Sequence, residues 1–513
     1  MQEVGEKCAI FGIYGKDLDV ARLSFFGLYA LQHRGQENSG LATTDGKKIY
    51  CHKGAGLVAQ VYNEDVIKKL DCEDHESIAA IGHNRYSTSG GVGNYYAQPF
   101  VLGGNSTCRI TPAEDNCLEH QVAEFLQIES NPILALVHNG NLPSTTALEN
   151  FLKEKGVDTT RLAIDPCIEN EKSHDHSREI TPSDSSLITA ALSWHLRTGM
   201  TIEEAVEKTW PLLTGSFSIL VMTADKLVAI RDHCGIRPLS IARLNGGFVL
   251  ASETCAFHPI GAEFLRDVNP GEMIVIDEGG LKARQIAEPN QKLDIFEFVY
   301  FSRPDSELLG QTVYEVRKRF GEQLAREYKI EADVVIPVPE TSIPVAIGFS
   351  NVSGIPFEMG LVKSRYIHRT FIQPEQHIRE QGVKLKLAPL THAIKGKRVV
   401  IADDSLVRGT TSKQIVKMLF ETGATEVHFI VSSPPVKFPD FYGIDLPDQN
   451  KLFAASRTVE EMRKELGATS LNFLSFDGMV KATNISPDKF CTACFTGEYP
   501  IDLKEKKSEI KYE

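Results

Sequence analysis

The sequence predicts a layered α+β domain followed by an α/β domain with a parallel sheet, and three observations carry that prediction. A chain of 513 residues exceeds what one hydrophobic core organises, so two or more domains are expected. From Cys8 to about Asp277 the chain reads as short β-rich runs, such as Cys8-Ala9-Ile10-Phe11-Gly12-Ile13 and Phe217-Ser218-Ile219-Leu220-Val221-Met222, with helical stretches between them. From about Leu293 the pattern becomes strand, loop, helix, with Asp333-Val334-Val335-Ile336-Pro337 before one loop and Arg398-Val399-Val400-Ile401-Ala402 before another. All-apolar strands of this kind belong to parallel sheets covered on both faces.

After the second loop, Ile415, Val416, Leu419 and Phe420 recur at helical spacing, Gly423 supplies a stop, and Val427 to Val431 reads as the next strand, completing a βαβ unit. The expected boundaries are a leader at 1–7, a first domain at 8–290, a second at 291–470 and a C-terminal segment at 471–513. Polar stretches near 105–130 and 165–181 read as surface insertions, and the Lys/Glu-rich end from Lys504 to Lys511 as a frayed tail.

Composition narrows the function classes. With 42% hydrophobic and 24% charged residues, the chain has the balance of a soluble globular protein. A net charge of -13 opposes nucleic acid as a partner, while leaving room for a local basic cluster around a phosphorylated small molecule. No apolar run approaches the span of a bilayer and Met1 to Lys7 has no hydrophobic signal core, so a cytoplasmic protein without membrane attachment is expected. The 10 Cys are scattered, as free thiols or metal ligands are, not paired as in a small secreted scaffold.

The most specific motif runs from Val399 to Thr411. A buried strand delivers Asp403 and Asp404 at its C-terminal end, and a loop with Ser405, Arg408, Gly409, Thr410 and Thr411 opens a helix. Backbone N–H groups and the positive helix end suit a phosphate, and adjacent acids suit ribose hydroxyls and Mg²⁺. A simple strand-to-helix turn with Asp404 or Ser405 as cap leaves the second acid and the Gly-Thr-Thr unexplained. The motif resembles the phosphoribosyl pyrophosphate (PRPP) site of type I phosphoribosyltransferases. That resemblance implies a pyrophosphate loop at Pro339-Glu340-Thr341-Ser342, with Thr341 near the Mg²⁺. It also implies a closing loop from Lys363 to Ile372, with Lys363 the expected contact.

At the other end, Cys8 stands at the start of a strand behind seven residues. If that leader is removed, the α-amino group of Cys8, with a pKa near about 7.7–8.0, can serve as general base for its own thiol. Alone, such a Cys is more often a small buried hydrophobe, so the nucleophile reading needs the support of other motifs. Leu31-Gln32-His33-Arg34-Gly35-Gln36-Glu37, Gly82-His83-Asn84-Arg85-Tyr86-Ser87-Thr88, His138-Asn139-Gly140-Asn141-Leu142 and Ser183-Asp184-Ser185 resemble, in order, the class II glutamine amidotransferase domain. With both halves counted, the chain is similar over essentially its whole length to the amidophosphoribosyltransferase family.

The resemblance implies an αββα N-terminal-nucleophile glutaminase domain with Cys8 as nucleophile. Arg85 would meet the glutamine carboxylate, Asp184 its ammonium, and Arg34 would belong to the same site. Asn139 and Gly140 would form the oxyanion hole; their plainer reading is an Asn-Gly hairpin turn. It further implies ammonia transfer from glutamine to C1 of PRPP at the first step of purine synthesis, purine nucleotides as feedback inhibitors, and a homo-oligomer, tetramer or dimer. Two other readings compete. A hexosamine-forming transferase would share the N-terminal motifs but needs a sugar-isomerase half, and a PRPP-sensing regulator would have no use for the glutaminase motifs.

Near the end, Phe490-Cys491-Thr492-Ala493-Cys494-Phe495 resembles the tail of family members with a [4Fe-4S] cluster. Cys255 would be a third ligand, and Asp440 stands where those relatives have the fourth Cys. Asp can ligate iron as a harder donor. Zinc competes for a Cys₃Asp set, and structural thiols without metal are the third reading. Cys51, Cys72, Cys108, Cys117, Cys167 and Cys234 read as structural or incidental.

Overall fold

The computed structural model describes residues 8–71, 77–86, 96–103, 109–110, 124–128, 133–159, 182–364, 387–443 and 448–511. The expected leader, the expected insertions apart from the short strands at 109–110 and 124–128, Ser87, Thr88, the closing loop beyond Ser364, and Cys72, Cys108, Cys117 and Cys167 lie outside the described residues.

In the N-terminal half, period-two alternation builds two antiparallel sheets that face each other. The first has nine strands in the order 263–267, 240–244, 247–251, 9–14, 79–85, 38–44, 49–55, 124–128 and 109–110. The second has six, ordered 280–285, 272–277, 227–231, 214–222, 133–144 and 100–103. Along the strand Ala9–Tyr14, Ile10 points into the core between the sheets with Ile81, Val137 and Leu220. Ala9, Phe11 and Ile13 point the other way, onto Ala21 and Leu28 of the helix Val20–Ala30. That helix starts where the Asp19 side chain accepts from Arg22 N at 3.0 Å, and Gly27 lets it approach so closely that an added Cβ would run into the Phe11 ring.

On the far face of the second sheet, Leu136, Ile219 and Val228 pack against Leu148, Leu187, Ile188 and Val206 of the helices Thr146–Glu154, Asp184–Arg197 and Ile202–Thr209. The order of layers is therefore helix, sheet, sheet, helix.

The C-terminal half is built on a four-stranded parallel sheet, ordered Val334–Pro337, Arg398–Asp403, Glu426–Val431 and Ser470–Phe473. Both faces are covered, as its apolar strands require. Val335, Val400 and Ile430 meet the helices Val313–Glu327 and Ile343–Ser353, while Ile336, Ile401 and Phe429 meet Thr410–Glu421 and Val459–Leu466.

Two expectations change. The strand Ser470–Phe473 closes the sheet and Leu474, Met479 and Val480 enter its core, so the C-terminal half runs past the boundary expected at 470. The tail is not frayed. Leu503 and Ile510 are buried, Glu505 accepts from Ser144 Oγ at 2.7 Å, and Lys511 N donates to Gln449 at 2.8 Å. Among the described residues no helix is long and apolar enough to cross a membrane.

Candidate active sites

Cys8 immediately precedes a strand held between two others, and the pairing of Ala9 with Asn84 brings it beside Arg85 and Tyr86. Its thiol donates to the Tyr86 carbonyl at 3.6 Å. Burial pushes the Cys8 thiol above the ordinary range; Arg85 opposes this, while Glu37 and Asp184 add to it. The thiol is thus neutral near pH 7 and needs a base to react.

Arg85 is buried at the end of its strand, 5.3 Å from the Tyr96 ring and 3.5 Å from Asn38 Oδ1. Burial pulls its pKa down, so an anion arriving there relieves a desolvated cation. Asp184 opens a helix capped by Ser183, and its carboxylate accepts from Leu142 N at 3.2 Å and Ser185 N at 2.7 Å, with His138 Nδ1 3.8 Å away.

Asn139 and Gly140 do not form a hairpin turn. The strand Ile133–Ser144 runs straight through them, pairing Asn139 with Ser218 and Gly140 with Phe217. Gly140 is required because an added Cβ would meet the Ser216 carbonyl. Asn139 Nδ2 donates to Ser252 Oγ at 3.3 Å, and the same oxygen accepts from Ile10 N at 2.9 Å.

The expectation that Arg34 contacts glutamine is corrected. Its side chain is fully enclosed. Nε donates to the Cys8 carbonyl at 3.3 Å, Nη1 to Glu253 at 2.5 Å and Glu297 at 3.0 Å, and Nη2 to Glu297 at 2.9 Å. The guanidinium holds the backbone of Cys8 and has no open edge for a substrate.

In the C-terminal half, Asp403 ends its strand, Asp404 N donates to Asp403 Oδ1 at 3.0 Å, and Ser405 Oγ donates to Asp404 Oδ1 at 2.8 Å. The cap of the following helix is neither Asp404 nor Ser405. Gly409, with φ 73°, turns the chain into Thr410 and Thr411, a left-handed conformation that favours glycine. The loop with Thr341 is adjacent, because its strand neighbours Arg398–Asp403 and Val338 N donates to Ala402 O at 2.8 Å. Ser342, at the end of the one loop, and Thr411 and Ser412, at the end of the other, carry buried hydroxyls without a hydrogen-bond partner among the described residues, as groups that wait for a polar ligand do.

Arg408 is half-buried on the same loop. Lys363 is exposed on the ribbon 361–363/387–389, paired with Leu387. Asp403 and Asp404 fit Mg²⁺, which takes one or two carboxylates alongside substrate phosphates.

Of the four residues expected to hold a [4Fe-4S] cluster, Asp440, Cys491 and Cys494 lie within electrostatic reach of one another, the carboxylate adding to the burial that raises both thiols. Among the described residues no group of three or more His, Cys, Asp or Glu side chains is placed to hold a metal ion. Cys255 Sγ faces Glu253 Oε2 at 3.7 Å. Asp440 Oδ1 accepts from Tyr442 N at 2.8 Å and lies 3.8 Å from Arg237 Nη2. Cys491 and Cys494 are buried, and burial pushes both thiols up.

Sequence reasoning missed Ser252, Glu253, Arg237 and Glu297. Only Glu297 carried a signal, as the one charge within Phe296-Glu297-Phe298-Val299-Tyr300-Phe301.

Comparison with known proteins agrees with this arrangement. A glutamine amidotransferase domain model matches residues 162–259 and a phosphoribosyl transferase domain model residues 309–433. The amidophosphoribosyltransferase of Synechocystis sp. is 42% identical over 99% of this chain and 94% of its own length. That of Bacillus subtilis is 40% identical over 98% and 95%. The solved structure of the glutamine PRPP amidotransferase from B. subtilis complexed with ADP and GMP is 39% identical, covers 97% of this chain and 98% of its own, and superposes with a TM-score of 0.81. A structure described as the allosteric regulatory enzyme of purine biosynthesis is 39% identical, covers 98% and 99%, and has a TM-score of 0.82. The chain belongs to the amidophosphoribosyltransferase family.

Proposed function

We infer that this enzyme releases ammonia from glutamine and joins it to C1 of PRPP, giving 5-phosphoribosylamine, glutamate and pyrophosphate at the first step of purine synthesis. The observation that carries the residue assignments is that two sites of complementary chemistry share one chain. One has a thiol beside a buried guanidinium, and the other a pair of carboxylates beside orphaned hydroxyls.

In this reading the leader 1–7 is removed, and the freed α-amino group of Cys8 takes the thiol proton, which the raised thiol pKa makes necessary. The thiolate attacks the glutamine amide, ammonia leaves, and water hydrolyses the thioester. Arg85 pairs with the substrate carboxylate and Asp184 with its ammonium. The Asn139 amide and the Gly140 N–H stabilise the oxyanion, where one donor is worth about 3–4 kcal/mol of barrier.

In the other half, Ser405, Arg408, Gly409, Thr410 and Thr411 hold the 5-phosphate, Asp403 and Asp404 the ribose hydroxyls, and Lys363 offsets charge on the pyrophosphate. Mg²⁺ held by Asp403 and Asp404, with Thr341 nearby, would neutralise phosphate charge. Ammonia passes inside the protein, because in bulk water it would be protonated and lost.

The nucleotides in the B. subtilis complex support purine nucleotides as feedback inhibitors here. We also take the enzyme to be cytoplasmic and homo-oligomeric, dimer or tetramer, which light scattering would measure.

The deciding experiment follows phosphoribosylamine with glutamine or ammonia as nitrogen source. Cys8→Ser should lose the glutamine reaction and keep the ammonia reaction. Glutamine-dependent turnover in that variant would overturn the assignment.

A further inference from the structure

We propose that Glu297, carried by the C-terminal half, is a positioning residue for the nucleophile of the N-terminal half, acting through Arg34. The proposal rests on the reading of Cys8 as nucleophile.

Its basis is a buried chain of contacts. Arg34 grips Glu297 with both terminal nitrogens, at 2.9 and 3.0 Å, and donates through Nε to the Cys8 carbonyl at 3.3 Å. Neither side chain is exposed. Glu253 takes the remaining face of Nη1 at 2.5 Å and is itself held by His33 at 2.8 Å and Ser306 at 2.6 Å. Burial opposes charge on Arg34, but Glu297 and Glu253 outweigh it and raise the guanidinium pKa. The Arg34 guanidinium therefore stays charged, and its hydrogen bonds fix the direction in which Nε points.

Glu297 is held just as closely. Ser302 Oγ donates to Oε2 at 2.7 Å and Arg237 Nη1 lies 3.8 Å from Oε1. Glu297 opens a π-helical turn, Glu297–Phe301, a departure from α-geometry often found at functional sites. Arg317 ties the same turn down, donating from Nε to the Phe298 carbonyl and from Nη2 to the Ser302 carbonyl, both at 2.8 Å. Burial pulls Arg317 down to about 10, and Asp404 is the first charge acting against that pull. The turn that orients Arg34 is thus braced by a cation within electrostatic reach of the PRPP-site carboxylates.

A purely mechanical staple between the halves would be served as well by apolar side chains, since burying ions costs free energy that their pairing does not always return. What the ions add is direction. A bidentate pair sets the plane of the guanidinium, and the guanidinium sets the carbonyl of the residue that must attack.

The test uses the full-length enzyme and Glu297→Gln, which keeps the shape and one acceptor but removes the charge. Glutamine-dependent kcat should fall by about 10-fold or more, because small misplacements of a reacting group cost rate. KM for glutamine and ammonia-dependent turnover should each stay within about threefold, since neither depends on the aim of the thiol. Ser302→Ala, which removes one hydrogen bond to Glu297, should move the same ratio in the same direction by less, and Glu297→Asp should restore part of it.

Unchanged glutamine kcat in Glu297→Gln overturns the proposal. A parallel fall of glutamine and ammonia activities also overturns it, assigning Glu297 to structure alone. Failure of the underlying reading would look different, as glutamine use surviving in Cys8→Ser.

Discussion

Ile10 and Asn139 lie on facing sheets and meet at a single hydroxyl: Ser252 Oγ accepts from the Ile10 N–H at 2.9 Å and from the Asn139 side-chain amide at 3.3 Å. One N–H of Asn139 is thereby fixed, and on the proposed reading the other serves the oxyanion. Ser252→Ala should lower glutamine-dependent kcat by about 10-fold through a loosened donor, whereas Asn139→Ala should cost about 100- to 1,000-fold by removing it. Both should spare ammonia-dependent synthesis. Steady-state kinetics with the two nitrogen sources measures this, and equal losses in the two variants would mean that Ser252 does more than hold Asn139.

The paired carboxylates of the second site make the opposite demand. Asp403→Asn with Asp404→Asn keeps size and hydrogen bonding but removes two negative charges from the end of the strand Arg398–Asp403. Phosphoribosylamine formation should fall by more than about 100-fold with either nitrogen source, because ribose and Mg²⁺ contacts serve both. Near-normal ammonia-dependent turnover would place the PRPP site elsewhere.

How much of this was legible depended on whether a residue's role follows from its neighbours in the chain. Asp403 and Asp404 could be read because the strand, the acids and the helix start are contiguous, so local geometry determines where the carboxylates emerge. Arg34 could be placed near Cys8 by its motif, but the direction of its guanidinium is set by Glu253 and Glu297, more than 200 residues away. Asn139 and Gly140 look like a turn locally and become mid-strand only because the 214–222 strand pairs along them. The tail was misread because its Lys and Glu residues suggest solvation, while Leu503 and Ile510 anchor it.

Asp440 holds a buried turn in place. It caps the Tyr442 N–H at 2.8 Å and faces Arg237, which donates to the Tyr442 carbonyl through Nε at 2.8 Å. That carbonyl also accepts from Ser216 Oγ at 2.6 Å, and Asn141 holds Phe441 O at 2.8 Å, so the turn is docked on the strand bearing Gly140. Asp440→Ala should lower stability by about 1–3 kcal/mol, the cost of leaving buried polar partners unsatisfied, as read from a urea midpoint. Iron and acid-labile sulfide analysis of the purified enzyme measures the other role expected of Asp440, as a cluster ligand. Four of each per chain, lost in Asp440→Ala, would return Asp440 to the role of ligand.

Stability should also decline in mild acid, for a reason the buried histidines supply. Burial, opposed by a hydrogen bond to Val61 and reinforced by Lys69, pulls His52 from 6.5 down to about 4. Burial with Arg85 and His138 pulls His83 from 6.5 down to about 3. Between those values and 6.5 the unfolded chain binds protons that the folded chain refuses, so stability rises with pH in that window. The contribution is complete above about pH 6.5 and is lost as pH falls through about 6.5 toward 4, by up to about 1.4 kcal/mol per pH unit for each group. Urea unfolding at pH 7.5, 6.5 and 5.5 should show this loss, offset in part by Asp294, which burial raises from 3.8 to about 6 so that its folded form takes up a proton in the same window. His52 is the better probe, because its ring lies 3.2 Å from the Val61 carbonyl and glutamine can offer an N–H to the same oxygen. His52→Gln should make the slope between pH 6.5 and 5.5 shallower by up to about one proton; an unchanged slope would mean that His52 already carries its proton in the folded enzyme.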